Sequence, residues 1–579
     1  MSEKFSYLEA FEPRDDLKQF GPNSLTLFAL QLRFGIEDIW SVGVNSITEG
    51  SDDKKADLIY IDSEKGFVVI AQSHLSQKEK ESAPANKASD LNTAVSWLIN
   101  TPLDNLPPGL KTHAEELRRA LKNNDISMIY IWYVHNLPES VNVDKELKTV
   151  EHTARTALES LLGKNTISVH ALEVGQSCLE AWYISLQTPI LINDELKIEI
   201  PGGFEVKKSD WNAYLTVIPA RWLYVCFKKY GTRLFSANIR EYLGSRDTDK
   251  NINKGIQKTA STDPSHFLVF NNGITALVNS YKEEKGEKTH VIIKGISIVN
   301  GAQTTGSIGT SKAPPAEDAL VQIRFIMCNN VGTVQDIVKY NNSQNKITAP
   351  DFRSNDLVQR RLVEEFKDLD IEYLSRRGGQ EDLIRRPQNA LPSIALGQVL
   401  AAFHGDPDSA YNKKTYIWED DQLYGRLFNE RTTAKHSFFA YTLFKAVERK
   451  KLELINKKDE NKIKQIEEAQ LAFFRNRGST ILFATAISRC LETFLDQRIS
   501  NKFDIKFKNK RTIEEATDIW YPLIQIASSF TDPLLKGLSD GIKNKDKIEE
   551  SLKTFESLIS STKQANAQIF KEFSENVSL

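Results

Sequence analysis

Apolar and polar positions along this chain follow two periods, and the switches between them outline the elements. Residues 24–40 carry apolar side chains at helical spacing, so a helix is expected there. Residues 56–62 (Ala56-Asp57-Leu-Ile-Tyr-Ile-Asp62) read as a strand, 63–66 as a turn ending in Gly66, and 67–74 (Phe67 to His74) as the return strand of a hairpin. Residues 86–100 and 112–122 are amphipathic at helical period. The run 128–134 is nearly all apolar, as a strand buried on both faces would be. A helix over 143–162 and a strand over 166–172 complete a layered α/β order.

From 186 to 350 the pattern is mixed. Strands are expected near 267–279, 290–299 and 318–328, with a helix opening at Thr333. Beyond 351 the chain reads mostly helical, with apolar residues at helical spacing over 464–499 and 542–574. The fold class expected is α/β (α+β), in three parts: 1–185, 186–430 and a helical 431–579. There is no tandem repeat and no Pro-rich or Gly/Ser-rich linker. The run Arg449-Lys450-Lys451 through Lys457-Lys458 is expected to be a solvated helix face or a connection.

Composition narrows the picture only at a few points. The chain has 579 residues, is 40% hydrophobic and 26% charged, and carries a net charge of -2. No global field draws it to nucleic acid, so such contact must come from local basic patches. Cys178, Cys226, Cys328 and Cys490 stand apart with no CxxC pair, which points to a reducing compartment and away from structural zinc. The first residues lack the basic and apolar regions of a signal peptide, and no apolar run reaches the roughly 18 residues that span a bilayer. A cytoplasmic protein without a membrane segment is expected.

Carboxamides recur beside glycines at the ends of the expected strands. Asn271-Asn272-Gly273 follows an apolar run, Asn300-Gly301-Ala-Gln303-Thr304 follows another, and Asn341-Asn342 closes a helix. Such groups can bind a ligand without carrying charge. Each also has a simpler account. Asn-Gly between apolar runs is a hairpin turn. A strand followed by Asn300-Gly301 and small residues is a helix start, whose free N–H groups also favour anions. Asparagine tolerates the left-handed conformation at a helix end.

Taken in order, these turns resemble the AIPR family, named for abortive infection and phage resistance. The shared runs are Phe235-Ser-Ala-Asn238-Ile-Arg240-Glu-Tyr-Leu243, then Phe267 to Thr275, Val299-Asn-Gly-Ala-Gln303-Thr304, and Asn342-Ser-Gln344-Asn345. Ser375-Arg376-Arg377-Gly378 and 396–405 also fit, so the resemblance spans roughly 200–430. It implies a bacterial defence protein. The Asn300-Gly301-Ala-Gln303-Thr304 turn is also similar to the ParB/DGQHR layout, in which such a turn holds nucleotide phosphate. Here Thr304 replaces the arginine and Asn300 the acid.

AIPR proteins commonly carry a PD-(D/E)xK nuclease-like domain, so the resemblance implies a restriction-endonuclease-like mixed sheet in 1–185. Asp57 stands on one arm of the hairpin and Gln72-x-His74 on the other. Alternation puts Gln72 and His74 on one face. By the resemblance, Glu37, Asp57 and Gln72 would hold Mg²⁺ or Mn²⁺, with His74 beside the attacking water. Magnesium suits carboxylate and water ligands. His74 stands where the family has lysine; imidazole is a general base near neutral pH but supplies no fixed charge. Lys78, Lys80 and Lys87 are candidates for that charge. The alternative is a nuclease-like domain kept only for binding.

Arg360-Arg361, Arg376-Arg377 and Arg385-Arg386 suit phosphate, or ion pairs with neighbouring acids. Lys502 to Arg511 suits a phosphate backbone, or a guarded edge strand. Three functions are open: a metal-dependent nuclease acting on invader DNA with the AIPR part as sensor or oligomerisation module, a non-catalytic nucleic-acid or nucleotide sensor, and a nucleotide-hydrolysing regulator. A homodimer is expected from base rates, and a defence-operon partner is compatible with each function.

Overall fold

Gly35 ends the first long helix earlier than the apolar pattern does. Its φ of 60° is left-handed, which glycine adopts at little cost, and its N–H closes on the Gln31 carbonyl at 2.8 Å. Helix α1 therefore spans Ser24–Phe34. Glu37, expected on that helix, lies instead in the connection to a further helix, Ile39–Ser46.

The computed structural model describes residues 5–48, 53–163, 167–187, 190, 192–231, 234–235, 247–311, 313–328, 330–343, 353–354, 356–375, 384 and 389–579. These form a mixed α/β architecture with four sheets. Contacts divide the chain into two units, one of Met1–Ile36, Ile61–Val95 and Arg119–Ile347, the other of Glu37–Tyr60, Ser96–Arg118 and Thr348–Leu579.

The N-terminal sheet has strands β1 (Leu58–Asp62), β2 (Phe67–His74), β3 (Met128–His135) and β4 (Ser168–Val174), in that order. Gly66, with φ 75°, makes the turn between the first two. β2 pairs with β3 in parallel and β3 with β4 in parallel. Residues paired in register share a face, so each strand shows one set of side chains to each side. On one face Phe34 of α1 stacks on Phe67 (centroids 4.3 Å) and on Trp132 (5.5 Å). Trp182 of helix Gln176–Gln187 meets Trp132 on the same side at 5.3 Å. The other face starts apolar with Val68, Ile70, Ile129, Ile131 and Val169, and turns polar at the carboxyl ends of the strands.

The second sheet of this unit has seven strands: β5 (Ile192–Glu199), β6 (Gly203–Lys207), β7 (Trp211–Pro219), β8 (Ile274–Leu277), β9 (Ser280–Glu284), β10 (His290–Asn300) and β11 (Leu320–Cys328). The order is β5-β10-β8-β11-β7-β6, with β9 on β10. Short β8 lies inside the sheet, antiparallel to β10 and parallel to β11. The single strand expected over 267–279 is not formed. Phe267–Phe270 makes one helical turn, which buries Phe267 and leaves Val269 and Phe270 72% and 66% exposed. Asn272-Gly273 thus joins a helix to a strand and closes no β-hairpin.

Helix α2 (Ala302–Gly309) packs on the helix Ala220–Tyr230 so closely that a Cβ on Gly309 would fall 2.1 Å from Phe227 Cγ. Helix α3 (Val331–Ser343) sets Val334 and Ile337 against Leu277 and Val299 on the sheet's other face.

The second unit is built on the 26-residue helix α4, Ala434–Asp459, which is buried along most of its length. The solvated face expected at Arg449-Lys450-Lys451 is found only at Arg449, which is exposed: Lys450 and Lys451 are 5% and 7% exposed, and Lys451 Nζ donates to Asn45 Oδ1 at 2.9 Å. Nearby, the Lys445 ammonium lies 3.0 Å from Glu448 and 3.8 Å from Asp38. His436 Nδ1–H donates to the Ile505 carbonyl at 3.1 Å, which leaves its Nε2 to accept from His404 Nε2–H at 3.0 Å. Among the described residues no helix is long and apolar enough to cross a membrane.

Burial holds His436, His404 and His113 neutral, lowering them to about 4, about 2 and about 3. Their unfolded values lie near 6.5. Between that value and about pH 4 the unfolded chain binds protons that the folded one does not, so stability falls as the pH drops. His436 alone is expected to cost about 2 kcal/mol between pH ~7 and ~5. Urea unfolding at the two pH values measures this, and His436→Gln should flatten the dependence.

Candidate functional site

The polar ends of the parallel strands converge on one face of the N-terminal sheet. Gln72 stands beside Tyr133, Tyr133 beside Glu173, and His74 beside His135, each pair in register. All but His74 are buried. Glu173 accepts from His135 Nε2–H at 3.0 Å and from the Ser140 N–H at 3.1 Å. His135 Nδ1 accepts from the Leu137 N–H at 3.3 Å, so both of its ring nitrogens are used. Gly175 makes room for this pair, since a Cβ there would sit 2.7 Å from His135 Cε1. The His135–Glu173 pair is structural.

Three other polar atoms on this face are buried without a partner among the described residues: Gln72 Oε1, His74 Nε2 and the Tyr133 hydroxyl. Burial lowers the His74 pKa, helped by the charges of Lys87 and Lys80, so the imidazole is neutral at neutral pH. Burial, then the carboxylates of Glu173 and Asp90, raises the Tyr133 pKa and keeps its O–H a donor. The strand ends therefore offer an acceptor, a proton acceptor and a donor. Ligands of open α/β sheets bind outside the carboxyl ends of the strands.

The other expected nuclease residues are Glu37 and Asp57. Asp57 precedes β1 by one residue, and its carbonyl accepts from the Thr48 N–H at 3.1 Å. Glu37 and Asp57 belong to one contact unit, Gln72 and His74 to the other. Among the described residues no three His, Cys, Asp or Glu side chains gather as a metal ion requires. The expected Mg²⁺ or Mn²⁺ ligands, Glu37, Asp57 and Gln72, include only two side chains of that kind.

The carboxamide turns meet in the seven-stranded sheet. Gly301, with φ 90°, turns β10 into α2, and a Cβ there would lie 2.8 Å from Ile274 Cγ1 and 3.1 Å from the Gly273 carbonyl. Asn272-Gly273 and Asn300-Gly301 are therefore in backbone contact. A bulge between Ile298 and Asn300 sets Asn300 opposite Thr275. Arg324, beside Thr275 on β11, donates to Thr275 Oγ1 through Nε (3.1 Å) and Nη2 (2.6 Å). Its Nη2 also reaches Asn341 Oδ1 at 3.3 Å. Asn341 lies in the last turn of α3, with Asn342 next to it, and its Nδ2 returns to the Ile337 carbonyl. Thr304 Oγ1 lies 3.5 Å from Asn271 Oδ1, and Gln303 is exposed on the first turn of α2.

The basic stretches are less open than their sequence suggests. Arg361 donates to the carbonyls of Asn429, Glu430 and Thr432 and pairs with Glu365. Lys502 Nζ donates to the Ser488 carbonyl, Lys508 to that of Glu575, and Lys510 pairs with Asp370. The edge at Lys506–Phe507 is paired with Val577–Ser578. Arg376, Arg377, Arg385 and Arg386 lie outside the described residues.

A family model described as AIPR protein matches residues 235–572, more than half of the chain. The chain belongs to the AIPR family. The match begins at the Phe235 motif, takes in both carboxamide turns and runs on through the helical region. Membership points to a role in abortive infection and phage resistance. Comparison with curated proteins and with solved structures finds no match. In this AIPR protein, Tyr133, His135, Glu173, Thr275 and Arg324 were not singled out from sequence. His135 and Glu173 fall one residue beyond the strand limits read from the apolar runs. A polar residue at or next to the last position of three strands is the signal that identifies them.

The two histidines should separate on mutation. His135→Ala leaves the buried Glu173 carboxylate short of its partner and is expected to cost about 3 kcal/mol. His74→Ala removes an atom with no partner and should stay within about 1 kcal/mol. Chemical denaturation of the full chain measures both.

Proposed function

We propose that this AIPR protein acts in phage defence by engaging invader nucleic acid at the carboxyl ends of its N-terminal parallel strands. The observation carrying this reading is the set of unpartnered buried atoms, Gln72 Oε1, His74 Nε2 and the Tyr133 hydroxyl, on one sheet face. Lys80 and Lys87 add positive charge near His74, as a phosphate requires. The strand–turn–strand carrying Gln72-x-His74 is similar to the PD-(D/E)xK hairpin, a scaffold that already fits a phosphodiester. The Glu173 carboxylate on this face is already bonded to His135 and the Ser140 N–H, which favours binding over hydrolysis.

Cleavage is the second reading, and His74 favours it. A neutral imidazole with an unpartnered nitrogen is a proton acceptor near neutral pH, the property a general base needs. In that reading the nuclease acts on invader DNA and His74 takes the proton of the attacking water.

The test uses full-length protein with plasmid, linear DNA and RNA, in Mg²⁺, in Mn²⁺ and in EDTA. Binding is expected at low salt, and Lys87→Ala should reduce the slope of log K against log salt by about 1. His74→Ala should weaken binding several-fold. Retention of no nucleic acid, or identical binding by both variants, overturns the proposal. Strand scission by wild type that His74→Ala abolishes establishes the second reading; bound but intact nucleic acid in every buffer removes it.

A further inference from the structure

We propose that the free edge of β6 pairs with the same edge of a second copy of this chain. The contact lies in the seven-stranded sheet and is independent of the nucleic-acid reading given to the strand-end recess.

β6 (Gly203–Lys207) closes the order of that sheet, with β7 on one side and no strand on the other among the described residues. Its antiparallel register to β7 runs unbroken from Gly203 opposite Thr216 to Lys207 opposite Asn212. At the turn the Lys208 N–H donates to the Trp211 carbonyl at 2.9 Å. Backbone groups of an antiparallel strand point to alternate sides. Lys208, Val206 and Phe204 therefore turn theirs toward β7, and Lys207, Glu205 and Gly203 turn theirs outward. An outward row of N–H and C=O groups is a template for another strand.

Proteins blunt such edges with proline, bulges, charge or a cover. The N-terminal sheet covers its β4 edge: Arg155 donates to the Val169 carbonyl at 3.2 Å, and Glu151 accepts from the Ala171 N–H at 3.1 Å. β6 has no proline and no bulge, and its Phe204 is 61% exposed. The charges it carries are Glu205 and Lys207, of opposite sign, on one face of the strand.

That pair selects the occupant. In an antiparallel copy related by a two-fold axis through Val206, each Glu205 stands directly opposite Lys207 of the partner copy. These are also the residues whose backbone groups point outward, so they exchange N–H···O=C bonds. Opposite charges across such a pair are favourable and like charges are not. A two-fold through Glu205 or through Lys207 sets like charges face to face, and one through Phe204 leaves both charges without an opposite. An edge complementary to itself in this way fits a second copy of the chain, as an isologous dimer requires. Within one chain Lys207 Nζ lies 3.0 Å from Glu205, and the Tyr281 O–H donates to the other Glu205 oxygen at 2.8 Å. The Glu205–Lys207 pair is exposed, so exchanging it across the axis costs little. The interface is small, and the dimer it makes is weak and concentration-dependent.

The test is sedimentation equilibrium of full-length protein over a range of concentrations. A reversible monomer–dimer equilibrium is expected. Glu205→Lys and Lys207→Glu should each weaken it at least about tenfold, since each sets like charges opposite one another. Both positions are exposed, so urea unfolding of either variant should stay close to wild type. The chain carrying both changes should dimerise as wild type does, and an equimolar mixture of the two single variants should form the mixed dimer. Monomer mass for wild type at the highest concentration, a dimer that both single variants leave unchanged, or no rescue in the double variant and the mixture overturns the proposal.

Discussion

The in-register parallel pairing of β2, β3 and β4 is the constraint on which the N-terminal half of this protein depends. A slip of one residue would turn every side chain to the opposite face. Gln72, Tyr133 and Glu173 would leave the polar row, and Phe67 and Trp132 would lose Phe34. The aromatic cluster on one face therefore fixes the position of the polar groups on the other. The register is held by apolar burial, and the recess at the strand ends follows from it. Its unpartnered atoms persist because the surrounding packing is too extensive to rearrange around them.

The seven-stranded sheet works by a different device. β8 is only four residues long, yet it joins β10 to β11 and so brings distant segments together. Glycines at 273 and 301 let two turns approach closer than side chains would allow. Thr275 and Arg324 then meet because parallel neighbours in register share a face. The residues that define the AIPR family in this region thus build the sheet junction first. Asn272 and Asn300 are the exceptions, since their side chains bond to nothing among the described residues.

The second unit rests on a long helix that carries buried charge. Lys445 lies between Glu448 and Asp38, and the half-buried Arg477 guanidinium pairs with Glu116. Buried pairs add little net stability, but loss of one member is costly. They therefore specify where segments 37–60 and 96–118 dock on the C-terminal helices. Three buried neutral histidines add a second sensitivity, to acid.

Much of the secondary structure was legible from period alone. The hairpin at Gly66, the apolar strand at 128–134, and the strand-to-helix turn at Gly301 need only local backbone preference and alternation. Gln72 and His74 were legible as a pair because alternation puts i and i+2 on one face. Other features were not. Glu37 left its helix because one glycine stopped it. The run 267–270 became helical because burying Phe267 outweighed strand propensity. Lys450 and Lys451 are buried because segments far away in sequence cover them. By itself the sequence determined the family, the α/β class and the local turns, since those depend on neighbours along the chain. Only the tertiary structure decided which polar groups share a face, which are satisfied and which are left open. Register and burial are set by partners tens to hundreds of residues away.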